Sequence, residues 1–146
     1  MKTILLILFS SFIFSSSGWL TNFNEATKTA TEKHQLILLN FSGSDWCGPC
    51  IRLRKEVFES NTFIAFADSS LVLINADFPR NKKDKLSNDQ QQQNNSLADK
   101  YNPDGKFPYT ILVDEHGKVI KDWDGFPNES PESFVAQIAT ASGVAN

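Results

Sequence analysis

The stretch Asn40-Phe41-Ser42-Gly43-Ser44-Asp45-Trp46-Cys47-Gly48-Pro49-Cys50 holds both cysteines of a 146-residue chain, and one sequence periodicity gives way to another within it. Upstream, Leu36-Ile37-Leu38-Leu39-Asn40-Phe41-Ser42 is a nearly continuous apolar run of strand length, the pattern of a strand covered on both faces. Gly43-Ser44-Asp45 breaks that run. Beyond Cys50, Ile51, Leu53, Val57 and Phe58 form an apolar stripe at helical spacing, with Arg52, Arg54, Lys55, Glu56 and Glu59 on the polar side. A buried strand therefore hands over to a helix at the two thiols.

That placement has chemical consequences. A bridge between cysteines three positions apart constrains little of the unfolded chain, so the use of such a bond lies in opening and closing. At a helix start, one sulfur can meet a substrate while the other faces it from within the helix. Unpaired backbone N–H groups and the helix dipole favour a thiolate at Cys47 by about 0.3 to 1 kcal/mol, and up to ~2. This brings a free thiol of pKa about 8.5 close to neutrality, where a thiolate is populated and still nucleophilic. Cys47 is thus the expected attacking thiol, forming a mixed disulfide that Cys50, one turn on and expected to be less exposed, resolves. Gly48 allows close backbone approach, and Pro49 has no N–H to compete for the helix start. A zinc site needs four ligands; with no further cysteine, only His34 and His116 remain, and no metal is expected.

Working outward, Phe23, Ala26, Thr27 and Ala30 recur at helical spacing behind Asn22 or Asn24, predicting a helix from Asn22 to Lys33. His34 is then a surface residue beside a helix C-terminus. Thr62 to Ala67 predicts a further helical piece, and Leu71 to Asp77 a second buried strand, which completes a parallel strand–helix–strand crossover. Residues 79–95, with Lys82-Lys83-Asp84-Lys85 and Gln90-Gln91-Gln92-Gln93-Asn94-Asn95, read as an exposed polar insertion unable to bury a face. Ser96 to Tyr101 can finish a helix that Asn102-Pro103-Asp104-Gly105 stops. Tyr109 to Val113 and Lys118 to Lys121 form a hairpin around Asp114-Glu115-His116-Gly117, with His116 exposed in the turn. Ser130 and Pro131 open a last helix with Phe134, Ile138 and Ala141 facing inward. The expectation is an α/β domain whose central mixed sheet carries helices on both faces.

The first residues, Met1-Lys2-Thr3 followed by the apolar run Ile4 to Phe14 and the small residues Ser15-Ser16-Ser17-Gly18, read as a secretory signal peptide over residues 1–18. The run falls short of the roughly 20 residues that cross a bilayer. The expectation is cleavage near Ser17 or Gly18 and export of one domain, residues 19–146, to the periplasm or beyond the cell, as a monomer, with retention of the apolar run as an uncleaved membrane anchor as the alternative. A net charge of −3 provides no general attraction to nucleic acid, and no such partner is expected.

The Trp46-Cys47-Gly48-Pro49-Cys50 core, the Phe107-Pro108 pair before a strand and the element order resemble the thioredoxin superfamily over nearly the whole mature chain. Phe41 to Cys47, Lys55-Glu56-Val57-Phe58 and Asp77-Phe78-Pro79-Arg80 are similar to exported thioredoxin-like proteins of bacteria. The resemblance implies a thioredoxin-like fold and a thiol-disulfide oxidoreductase that reduces protein disulfides in the cell envelope. It implies no cofactor beyond a redox-active Cys47–Cys50 disulfide, and re-reduction by a membrane thiol relay. It also implies that Phe107-Pro108 is a cis peptide facing the cysteines, with main-chain groups for a bound substrate, and that Trp46 forms a flat apolar rim beside Cys47. Two positions depart from the family pattern. Asn40 stands where the family carries a buried Asp, and Leu73 matches the lysine often paired with it, so a water or Asp45 would have to relay the Cys50 proton. Other directions remain open: a disulfide oxidase or isomerase, or a peptide-binding module using residues 79–95 as its partner surface.

Overall fold

The structure is a computed structural model that describes residues 18–143; the signal peptide expected over residues 1–18 lies, Gly18 apart, outside the described residues. Helix α1 (Phe23–Lys33) starts where the Asn22 side chain accepts the Glu25 N–H, and ends at His34, whose φ of 53° turns the chain out of the helix. Strand β1 (Leu36–Ser42) leads through Gly43 to Asp45 into the short helix α2 (Gly48–Leu53). The same helical axis continues as one π-helical turn, Arg54–Phe58. Helix α3 (Asn61–Ser70), capped by Ser60, precedes strand β2 (Leu71–Asp77). Helix α4 (Asn88–Tyr101), capped by Ser87, is followed by the hairpin β3 (Tyr109–Val113) and β4 (Val119–Asp124), then by helix α5 (Pro131–Ala141), capped by Ser130.

The four strands lie in the order β2-β1-β3-β4, with β1 parallel to β2 and both other pairings antiparallel. Leu20 adds a short parallel pairing on the outer edge of β2. Because strand side chains alternate, β1 divides its residues between two cores. Ile37, Leu39 and Phe41 join Ala26, Ala30, Ile74, Leu97 and Ile111 on the α1/α4 face. Leu38 joins Leu53, Val57, Phe63, Phe134 and Ile138 on the other face, under α2, α3 and α5. Each fully buried Leu, Ile or Phe contributes about 1.5–3 kcal/mol of apolar transfer energy, so both faces of β1 anchor the strand that delivers Cys47.

Two expectations need correction. The stripe of Ile51, Leu53, Val57 and Phe58 does face inward, but the wider π-helical turn lets Val57 and Phe58 both enter the core while Ile51 stays half-buried. More substantially, the Gln/Asn run is not an exposed insertion without a buried face: residues 88–95 are the first turns of α4, and Asn94 is only 1% exposed. Asn94 donates to the Asp77 carbonyl at 2.9 Å and accepts from Gln90 at 2.9 Å, while Gln90 and Gln93 donate to the Thr21 carbonyl at 2.9 and 2.7 Å. A primary amide carries both donors and acceptors, so it can be buried at little cost when each finds a partner. Residues 80–85 keep the expected exposure.

Candidate active site

Cys47 is the N-cap of α2. Its own N–H donates to the Gly43 carbonyl at 2.9 Å, and its Sγ accepts the Cys50 N–H at 3.2 Å. Pro49 occupies the first turn, where a missing N–H costs nothing. The two sulfurs are bonded, 2.11 Å apart. The expected difference in exposure between them is absent, since both cysteines are 5% exposed. The reason is local: Cys47 Sγ is turned back onto the helix start by the N–H it caps and by its bond to Cys50. Gly48 and Pro49 form the exposed part of the motif.

Around this pair stands an aromatic wall. The Phe107–Pro108 peptide is cis, and the Phe107 ring meets Trp46 and Phe78 edge-on, with centroids 5.5 Å away in each case. Trp46 Nε1–H donates to the Phe78 carbonyl at 2.7 Å. The Arg80 guanidinium lies over the indole, 3.6 Å from its centroid. The rim beside Cys47 is therefore a half-buried indole carrying a cation, where the sequence suggested a bare apolar surface. Pro108 has no N–H, and its carbonyl already accepts from Gly125 at 2.9 Å. The Phe107 N–H and C=O, by contrast, have no partner among the described residues.

Beneath α2 a polar row crosses the sheet. Asn40 is in register with Asn75 on one side and Thr110 on the other. Its Nδ2 donates to Asn75 Oδ1 and its Oδ1 accepts from Thr110 Oγ1, both at 3.0 Å. Ser42 donates to Asn75 Oδ1 at 3.2 Å and to Asp77 at 3.1 Å, and Asp77 also accepts from the Ser44 N–H and hydroxyl. The residue in register with Asn40 is therefore Asn75, while Leu73 lies opposite Leu38 in the apolar core, so no acid–lysine pair occupies this position. A cavity of about 230 Å³ adjoins Cys50, lined by Asn40, Ser42, Asn75, Arg54 and Glu59 among others. Asp45 looks away from this region. Its carboxylate accepts from the Arg80 N–H at 2.9 Å and the Asn81 N–H at 2.7 Å, and the Arg80 N–H above all holds it below the ordinary carboxylate range. Such a group is a poor proton acceptor.

Phe78, Arg80, Gly43 and Asn75 are the site residues that no motif singled out for a role. One signal was available: in a parallel pair, the loops leaving the C-terminal ends of adjacent strands share an edge of the sheet, so the segment after Asp77 had to lie beside the segment after Ser42. His34 and His116 are both exposed, and no group of three or more metal-ligating side chains occurs among the described residues. Nor is any described helix long and apolar enough to cross a membrane.

Comparison with known proteins agrees with this geometry. The "disulfide bond reductase DsbH" of Chlamydia pneumoniae is 31% identical over 120 residues, covering 82% of this chain and 70% of that protein. The "thioredoxin-related protein DsbJ" of the same organism is 32% identical over 112 residues, 77% of this chain but only 31% of DsbJ. A solved structure titled "DsbH Oxidoreductase" superposes with a TM-score of 0.80 at 26% identity, covering 98% of this chain and 96% of that one. Residues 23–142 match the family model described as the thioredoxin-like domain, and the chain belongs to that family, within the thioredoxin superfamily of thiol-disulfide oxidoreductases.

Proposed function

We propose that the protein reduces disulfides in other proteins outside the cytoplasm, with Cys47 as nucleophile and Cys50 as resolving thiol. The observation that carries this reading is the position of Cys47 Sγ at the start of α2, aimed at by the Cys50 N–H at 3.2 Å, where a thiolate is favoured and the leaving and resolving sulfurs are one turn apart. In the dithiol form, Cys47 thiolate attacks one sulfur of a substrate disulfide. An S–S bond forms between Cys47 and substrate, and the other substrate sulfur leaves as a thiolate. Cys50 then gives up its proton and attacks Cys47 Sγ, which releases the second substrate thiol and leaves the Cys47–Cys50 disulfide. Two electrons pass to the substrate, and a thiol donor must return two. Trp46 and Phe107 flank the attacked sulfur, and Phe107 main-chain groups align the substrate strand-wise beside the cis Pro108. Asn40 cannot accept the Cys50 proton, so it passes to water in the adjoining cavity.

The relative named as a disulfide bond reductase supports the reducing direction. The same reading takes residues 1–18 as a cleaved leader, residues 19–146 as a periplasmic or secreted monomeric domain, and a membrane thiol relay as electron donor. The deciding measurement is the reduction potential of the Cys47–Cys50 couple. A value near thioredoxin's, about −270 mV, supports a reductase, and one near the strong oxidants, about −120 mV, overturns it. Cys47→Ser should abolish insulin-type disulfide reduction, and Cys50→Ser should accumulate Cys47 mixed disulfides; absence of those adducts would refute the division of roles.

A further inference from the structure

The segment Arg80-Asn81-Lys82-Lys83-Asp84-Lys85 sets four cations against one carboxylate in a chain whose net charge is −3. All six residues are exposed, and none of the four cations enters an ion pair among the described residues. This segment is tied to the redox site. Asp45 grips its first two N–H groups, and Arg80 lies over Trp46, the residue next to Cys47. The carboxylates nearest the site are already engaged: Asp45 by those N–H groups, Asp77 by Ser42 and Ser44, Glu56 and Glu59 by Arg52 and Arg54. Glu56 and Glu59 are neutralised by their arginines, and Asp45 and Asp77 keep their charge, so the four cations of the segment leave a local positive excess over Asp84 and Asp45 on one side of the disulfide.

We infer that residues 80–85 form a docking rim for an acidic segment of the disulfide-bearing protein substrate, presented beside Cys47. This rests on the oxidoreductase reading above. Exposed charges act at a distance set by ionic strength, about 30 Å at 10 mM and ~8 Å at physiological salt. They steer encounter and select partners more than they tighten a formed complex. A protein substrate is the occupant that this geometry fits, because the cations continue directly into the aromatic rim at the reacting sulfur. A membrane surface would need the charge but not its placement beside Cys47.

The test uses the full mature protein and two disulfide-bridged peptides of equal length, one with Asp and Glu flanking its cysteines and one with Asn and Gln there. At about 10 mM ionic strength kcat/KM for the acidic peptide should exceed that for the neutral peptide by about tenfold, falling to ~2-fold at high salt. Neutralising the rim with Arg80→Gln, Lys82→Gln, Lys83→Gln and Lys85→Gln should collapse the ratio to near one, whereas Lys82→Arg, Lys83→Arg and Lys85→Arg should preserve it. Equal rates for the two peptides in the native protein would overturn the inference, as would a preference that survives neutralisation. Reduction of neither peptide would instead sink the oxidoreductase reading itself. Rim-dependent binding to vesicles of anionic phospholipid, without any peptide preference, would overturn the inference in favour of a membrane.

Discussion

Replacing Gly43 by alanine puts a methyl carbon within 2.6 Å of the Cε2, Nε1 and Cζ2 atoms of Trp46, inside any contact distance a real side chain tolerates. The indole cannot give way freely. Its Nε1–H is bonded to the Phe78 carbonyl, one edge meets Phe107, and its face carries Arg80. Overpacking of this kind costs about 1–3 kcal/mol, and pushing the ring off its acceptor adds about 0.5–1.5 kcal/mol. Against this, Gly→Ala lowers the entropy of the unfolded chain, which stabilises by about 0.4–1 kcal/mol. The net expectation is a loss of about 2 kcal/mol. Urea unfolding of the oxidised protein, followed by far-ultraviolet circular dichroism, measures it. The decisive comparison repeats the substitution in a Trp46→Ala background, where the indole atoms that the methyl group strikes are gone and the substitution should cost little or stabilise slightly. A coupling energy near 2 kcal/mol between the two sites is expected; additivity within about 0.5 kcal/mol would refute the close-packing argument.

Asn40→Asp tests the polar row beneath α2. Asn40 donates to Asn75, and an ionised carboxylate there would set a carboxylate oxygen against the Asn75 Oδ1 acceptor at a site only 6% exposed, so the folded-state pKa of the new acid should rise above its unfolded value of about 3.9. More protons are then bound in the folded state, and stability relative to the native protein should fall by about 1.4 kcal/mol per pH unit from pH ~4 up to the folded pKa. A difference that stays constant from pH 4 to 8 would rule this out. Asp45 should behave in the opposite sense. Its folded pKa is depressed, chiefly by the Arg80 N–H, so its contribution holds above the unfolded pKa of about 3.9 and is lost as pH falls through the folded one. Amide exchange at Arg80 and Asn81 should accordingly accelerate in Asp45→Ala at neutral pH, and unchanged protection factors would show that the carboxylate does not hold the loop.

Much of the molecule is written in local signals. The run Leu36 to Ser42 announces a strand buried on both faces, the caps Asn22 and Ser130 mark helix starts, and the handover to a helix at Cys47 places the thiols. These readings succeed because periodicity and capping depend on residues within a few positions of each other. The first turns of helix α4, before the expected Ser96 to Tyr101, escaped because hydropathy scores Gln and Asn as exposed, whereas Asn94 is buried by the partners that surround it. That information lies in Asp77 and Gln90, and in the docking of α4 against the lead-in to α1 at Thr21.

By itself, then, the sequence determined the two thiols, their spacing at a strand-to-helix junction, the strand-buried core and the α/β class, since each follows from short-range pattern. Only the tertiary structure decided that Asn40 faces Asn75, that Arg80 lies on Trp46, and that the basic segment flanks the disulfide. Those facts depend on sheet register and on which loops share an edge, and register is set by contacts between residues some 35 positions apart, beyond the reach of any local periodicity.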